Sequence, residues 1–210
     1  MVFSGTLFLV YFLPVFWTIY LLAPKGAKNY VALLASTFFY AWGAPLFVFV
    51  VFASMYADFW LVSKFRKDAK RKFLLSLSVI LNVGLLSYFK YANFFIDNVN
   101  SALLSFGMES VEWTQVALPI GISFFTFQKL SYTVDVFRGK HKALENFSDY
   151  ALYIILFPQL IAGPIVRFSE IADQLIDRSE HETVNDKLLG FSRFCIGLGK
   201  KVMIANVVGS

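Results

Sequence analysis

The chain has 210 residues, of which 58% are hydrophobic and only 16% charged, against roughly 45–50% apolar and about 25% charged in ordinary soluble domains. Its 25 phenylalanines and mean hydropathy of +0.62 exceed what one soluble core of this size can hide, so a water-soluble globular domain is excluded. The net charge of +5 sits in short clusters between apolar runs, the pattern of membrane-protein loops and not of a nucleic-acid face.

The first apolar run, 6–23, approaches the roughly 20 residues that span a bilayer. It contains Pro14, a candidate kink. No basic residue precedes it, so it lacks the charged start of a cleavable signal peptide. Pro24-Lys25-Gly26-Ala27-Lys28 makes a basic turn. The run 30–42 is short for a spanning helix at about 1.5 Å per residue, and Gly43-Ala44-Pro45 ends it. The run 46–62 carries Asp58, expected near the inner interface as a structural ion pair.

Lys64 to Lys72 holds six basic residues and one acid in nine positions. It is the strongest orientation signal and belongs in the cytoplasm. A span at 73–91 follows. Counting from that loop puts the N-terminus outside and Lys25 and Lys28 inside. It also puts 93–115 outside, where Asp97, Glu109 and Glu112 occur without any Lys or Arg. In that outer segment Phe95, Val99, Leu103 and Phe106 form one stripe, predicting a separate helix lying in the interface.

The run 118–137 returns to the inner side and ends at Arg138-Gly139-Lys140-His141-Lys142. The run 147–165, broken by Pro158, Gly163 and Pro164, reads as re-entrant. Glu170 to Lys187 is polar with Ile171, Leu175 and Ile176 on one side, predicting a surface helix on the inner side. The last run, 188–208, is interrupted by Lys200-Lys201 and is expected to lie along the membrane. The single cysteine, Cys195, excludes an internal disulfide or a multi-cysteine metal site and reads as a small buried hydrophobe. The expected fold class is an all-α polytopic membrane protein, one multi-helix domain with broken or re-entrant helices.

Two segments carry candidate chemistry. On a helix, Phe124, Gln128, Ser131 and Asp135 share a face with Tyr132 beside them, below a break at Pro119 and Gly121. Polar groups at membrane depth need partners or water, so this face either lines a cavity or bonds neighbouring helices. In the second segment Pro158, Gly163 and Pro164 free backbone groups that must meet something polar. Arg167 follows, able to clamp a phosphate or carboxylate or to snorkel as an anchor. His141 and His181 read as solvated surface residues. No metal-ligand spacing occurs, and Gly197-Leu198-Gly199-Lys200 lacks the full phosphate-loop pattern. Spacing assigns no catalytic residue. The residues alone leave open an enzyme, half of a transporter with sites at broken helices, and a non-catalytic assembly subunit binding partners through 93–115.

The segment 118–132, Leu-Pro-Ile-Gly-Ile-Ser-Phe-Phe-Thr-Phe-Gln-Lys-Leu-Ser-Tyr, running into Asp135-Val136-Phe137-Arg138-Gly139, resembles the membrane-bound O-acyltransferase family. So do 157–168, Phe-Pro-Gln-Leu-Ile-Ala-Gly-Pro-Ile-Val-Arg-Phe, and the shorter Phe38-Phe39-Tyr40-Ala41-Trp42 and Gly199-Lys200-Lys201-Val202. The branch it is most similar to is the bacterial alginate O-acetylase type. The resemblance implies membrane helices around a tunnel in the inner membrane. It implies acyl transfer from acetyl-CoA, or a carrier derived from it, to a hydroxyl of an extracytoplasmic polysaccharide, with periplasmic partner proteins in some cases and no bound cofactor. It also implies that this chain is the N-terminal half. The family's essential histidine, a general base on the acceptor hydroxyl, lies on an apolar segment of the other half, and neither His141 nor His181 matches it.

Overall fold

The computed structural model describes residues 5–66, 70–160, 166–176 and 183–208. The expected breaks at Gly163 and Pro164, and His181, lie outside them. Among the described residues the structure is all helix, turn and extended connection, without a strand.

Helix α1 runs Leu7–Leu22. Its first six residues form π-turns, and the Leu13 amide reaches back to the Phe8 carbonyl. Pro14, which has no N–H for the Val10 carbonyl, sits just past that stretch and accounts for the wide turns. Helix α2, Lys28–Gly43, returns antiparallel, and α3 follows at Phe47–Ser63.

Helix α4, Arg71–Ser105, is one unbroken helix of 35 residues, about 52 Å long. This corrects the separate interfacial helix expected within 93–115: the stripe Phe95, Val99, Leu103 belongs to the same rod as the span before it. Between Phe73 and Ser105 there is one glycine, Gly84, and no proline, so nothing stops the helix. It ends in a glycine-capped turn, with Gly107 at φ +72 and the Met108 and Gly107 amides bonded to the Leu103 and Leu104 carbonyls. Among the described residues α4 is long and apolar enough to cross a membrane; α1 and α3 are shorter apolar helices.

Beyond α4 the chain runs back along it in extended form, clamped by two asparagines. Asn93 donates to the Val116 carbonyl (2.9 Å) and accepts from the Val116 amide (2.9 Å). Asn100 does the same for Val111, at 3.1 and 2.8 Å. Each primary amide offers the donor–acceptor pair that a neighbouring strand would.

Helix α5, Ile122–Phe137, ends in a second glycine-capped turn. Gly139 has φ +72, and the Lys140 and Gly139 amides bond the Asp135 and Val136 carbonyls. The Arg71 guanidinium donates to the Phe137 carbonyl and stacks on its ring at 4.9 Å, joining the start of α4 to the end of α5. Next come α6, Phe147–Ile155, α7, Phe157–Leu160, α8, Phe168–Ile176, and α9, Val184–Lys200, which continues through a π-turn to Val208.

The core centres on α6. Tyr150 to Ile155 are all at most 2% exposed, enclosed by α2, α3, α5 and α8. In α8 the buried side is Phe168, Ala172 and Leu175. A second, aromatic core gathers on Phe157, whose ring lies 5.2 to 6.0 Å from those of Phe8, Phe12, Phe16 and Phe39 and so binds α1 to α2 and α7. Outward-facing Val10, Leu22, Leu34, Phe49 and Ile80 are more than half exposed, an apolar exterior suited to lipid. No residue of α9 is buried, so Cys195 is exposed, against the expectation of a buried one.

Candidate functional site

The two motif segments meet in space. Pro119 is buried, and the turn it starts is closed by the Ile122 amide bonding the Pro119 carbonyl. Gly121 then caps α5 with φ +76. A Cβ on Gly121 would lie 2.6 Å from the Leu160 carbonyl oxygen, so both the backbone angle and the close approach of α7 require glycine there. Eight residues after Leu160, Phe168 packs edge-on against Tyr132 at 4.9 Å and His141 at 5.6 Å, near the opposite end of α5.

The break between α6 and α7 is closed within the protein. At Leu156 ψ swings to 115, which removes the helical bond from the Phe157 amide to the Tyr153 carbonyl. Ser36 Oγ accepts from the Phe157 amide instead (3.2 Å), and the Gln159 side chain donates to the Tyr153 carbonyl. Both orphaned groups are thus satisfied, one by α2 and one by the residue after the proline.

Below this junction lies a buried polar cluster that the sequence reading did not assemble. Asp58 on α3 has no exposed surface. Its Oδ1 accepts from Ser78 Oγ and from Asn82 Nδ2 (2.9 Å) on α4. Its Oδ2 accepts from Tyr150 Oη on α6 (2.7 Å) and Thr133 Oγ1 on α5 (3.3 Å). Lys129, also fully buried, donates at 3.1 Å to the Oγ of Ser54, which stands one turn before Asp58 on α3. Four helices therefore converge on one carboxylate, with a buried ammonium as countercharge. Asp58 is not at an interface beside the basic loop, as expected; Lys64 lies instead over the Trp60 ring at 3.3 Å. The signal was present. Ser54/Asp58, Ser78/Asn82 and Lys129/Thr133 are each polar pairs four residues apart inside apolar runs, one face of a helix each time.

The expected face of α5 is rotated by a fraction of a turn. Gln128, Tyr132 and Asp135 are buried, whereas Phe124 and Ser131 lie half-buried at its edge. Gln128 is 1% exposed and its Oε1 has no hydrogen-bond partner; the buried Thr126 Oγ1 is likewise unpartnered. Tyr132 Oη accepts from the Leu144 amide (2.9 Å), and its ring lies 4.9 Å from that of Tyr150. Asp135 pairs with Lys140 across the helix end at 3.4 Å. Arg167 is exposed and Pro158 is exposed on α7. His141 is half-buried against Phe168. Chemically, the Asp58 carboxylate is saturated with donors and organises helices, while Gln128 Oε1 is a buried acceptor without a hydrogen-bond partner.

No family model and no solved structure matches the chain. Among curated relatives, the probable alginate O-acetylase AlgI of Pseudomonas aeruginosa is 40% identical over 100% of this chain and 41% of its own length. The probable alginate O-acetylase AlgI of Azotobacter vinelandii is 39% identical over 98% of this chain and 42% of its own. A peptidoglycan O-acetyltransferase of Helicobacter pylori is 33% identical over 98% and 45% respectively. The chain thus spans about two fifths of the length of the relatives it matches.

Proposed function

This chain belongs to the family of the alginate O-acetylases, and from that premise we propose that it is the N-terminal part of a membrane-embedded O-acetyltransferase. The acceptor is a hydroxyl of an extracytoplasmic polysaccharide. The acyl donor is acetyl-CoA or a carrier derived from it, and periplasmic proteins assist the transfer. In this reading the chain is multi-pass in the bacterial inner membrane with its N-terminus outside. In this reading the base on the acceptor hydroxyl is the histidine that the resemblance implies for the other half of the protein.

The observation that carries the reading is the near-40% identity along the entire chain. The meeting of the two motif segments at Gly121 and Leu160 supports it. So does the unpartnered Gln128 Oε1, about two turns along α5 from Gly121: a buried acceptor without a donor is costly and is explained if substrate or water supplies one. Gln128 and Arg167 are the residues assigned to hold it, and Ser131, Tyr132 and Asp135 are the further candidates on α5. The transporter alternative was motivated by the breaks at Pro119 and Pro158; at Pro158 the groups freed at Tyr153 and Phe157 are bonded within the protein.

The test is acetyl transfer to polysaccharide by the protein as its gene encodes it. Gln128→Ala and Arg167→Ala are each expected to lower transfer by at least tenfold, the effect of losing about 1.4 kcal/mol in the transition state, while membrane levels stay unchanged. Full transfer in both variants removes the pocket role.

A further inference from the structure

On the outward side of α1 and α2, away from the motif junction, lies an open groove of about 520 Å³. Ile19 and Val31 line one end, Leu7 and Trp42 the other, with Val15 and Leu34 between. Its walls are apolar throughout, and Val15 and Leu34 are 58% and 70% exposed although the helices carrying them are packed. Phe8 and Phe39 turn inward to Phe157, while Phe12 and Phe16 touch Phe157 on one side and form the floor of the groove on the other.

From its Ile19 end to its Leu7 end the groove follows thirteen residues of α1, at most about 18 Å. That is close to the depth of one leaflet, half of a hydrocarbon core about 30 Å thick. The Ile19 end opens onto the turn Pro24-Lys25-Gly26-Ala27-Lys28. Lys25 is exposed there, whereas Lys28 is buried and sits over the Tyr20 ring at 5.3 Å. One apolar channel of leaflet depth with an exposed lysine at one end has the pattern of a phospholipid: acyl chain along the groove, phosphate at the turn.

We propose that this groove is a binding site for one anionic phospholipid of the leaflet that contains Lys25. The proposal rests on the membrane reading above. Lys25 supplies the headgroup preference, and the groove between Ile19 and Leu7 takes an acyl chain.

The test uses the protein as its gene encodes it, with Leu34→p-benzoylphenylalanine. It is reconstituted in phosphatidylethanolamine vesicles containing a minor share of phosphatidylglycerol. After illumination, the adduct on the peptide carrying residue 34 is weighed. The expected adduct is phosphatidylglycerol, enriched about fivefold over its bulk share, as one lysine near a membrane surface gives. Lys25→Gln is expected to return the ratio to bulk. A cross-link to another segment of the same protein, or to a second copy, overturns the site, as do lipid adducts in bulk proportion. Alkaline carbonate washing of the same vesicles separates the two readings. Protein that washes off refutes the membrane reading and the lipid site with it; protein that stays, with the wrong adduct, refutes the lipid site alone.

Discussion

Replacing Asp58 with alanine is the most demanding test of the architecture. The substitution leaves Ser78, Asn82, Thr133 and Tyr150 without their shared acceptor. Inter-helix polar contacts at membrane depth average about 0.6 kcal/mol each, so four come to about 2.4 kcal/mol. It also strands the fully buried Lys129 ammonium, whose remaining bond is to Ser54. Breaking one side of a buried charge pair costs about 3–5 kcal/mol, and that larger range is the expectation. The assay is reversible unfolding of the protein in mixed micelles by added sodium dodecyl sulfate. Asp58→Ala with Lys129→Met is the decisive companion. If the two charges compensate one another, the double variant is more stable than the sum of the singles predicts, by at least about 1 kcal/mol. A loss below about 1 kcal/mol in Asp58→Ala, or strict additivity, refutes the view that four helices are organised on this carboxylate.

Three further outcomes follow from particular contacts. Gly121→Ala is expected to lose about 1–3 kcal/mol in the same titration, from backbone strain and the clash with Leu160. Gly139→Ala, equally left-handed but with open space around it, is expected to lose less; equal losses would deny the close approach of α7. Tyr132→Phe removes the acceptor of the Leu144 amide, at about 1–3 kcal/mol, and is expected to speed hydrogen exchange at Leu144; unchanged exchange there counts against the bond. Ser36→Ala leaves the Phe157 amide unpaired, with a loss of similar size and faster exchange at Phe157; protection as in the parent would mean that the amide has another partner.

Much of the helical layout could be read from apolar runs and from glycine and proline punctuation, because those signals are local. The turn before α2, the stop at Gly43-Ala44-Pro45 and the interruption at Pro158 are of that kind. The error at 93–115 came from dividing a pattern that no breaker divides: the chain between Phe73 and Ser105 offers no stop, and α4 does not stop. The face of α5 came out a fraction of a turn off, with Gln128, Tyr132 and Asp135 buried but Phe124 and Ser131 at its edge, because a tally of polar residues does not show on which side the neighbouring helices lie. Lys129 and Thr133, passed over, are as fully enclosed as Gln128 and Tyr132. Asp58 was read against its nearest basic neighbours in sequence, whereas its partners lie 20 to 92 positions away. Periodicity shows that a helix has a polar spot. It does not show which other spots that one will meet, since that depends on how the helices are arranged around α6. Cys195 failed for a different reason: an apolar neighbourhood in sequence implies burial only if the helix is packed, and α9 buries nothing.

The asparagines that hold the extended segment to α4 have an evolutionary consequence. Asn93 and Asn100 stand seven residues apart, two helical turns less about 20°, and so present their amides in line, about 10.5 Å apart along the rod. Adding or losing a single residue between them would swing the second amide by about 100° and detach Val111, leaving only Val116 anchored. Length changes in relatives should therefore be suppressed between the two asparagines and permitted at the tip, where Phe106 to Met108 reverse the chain.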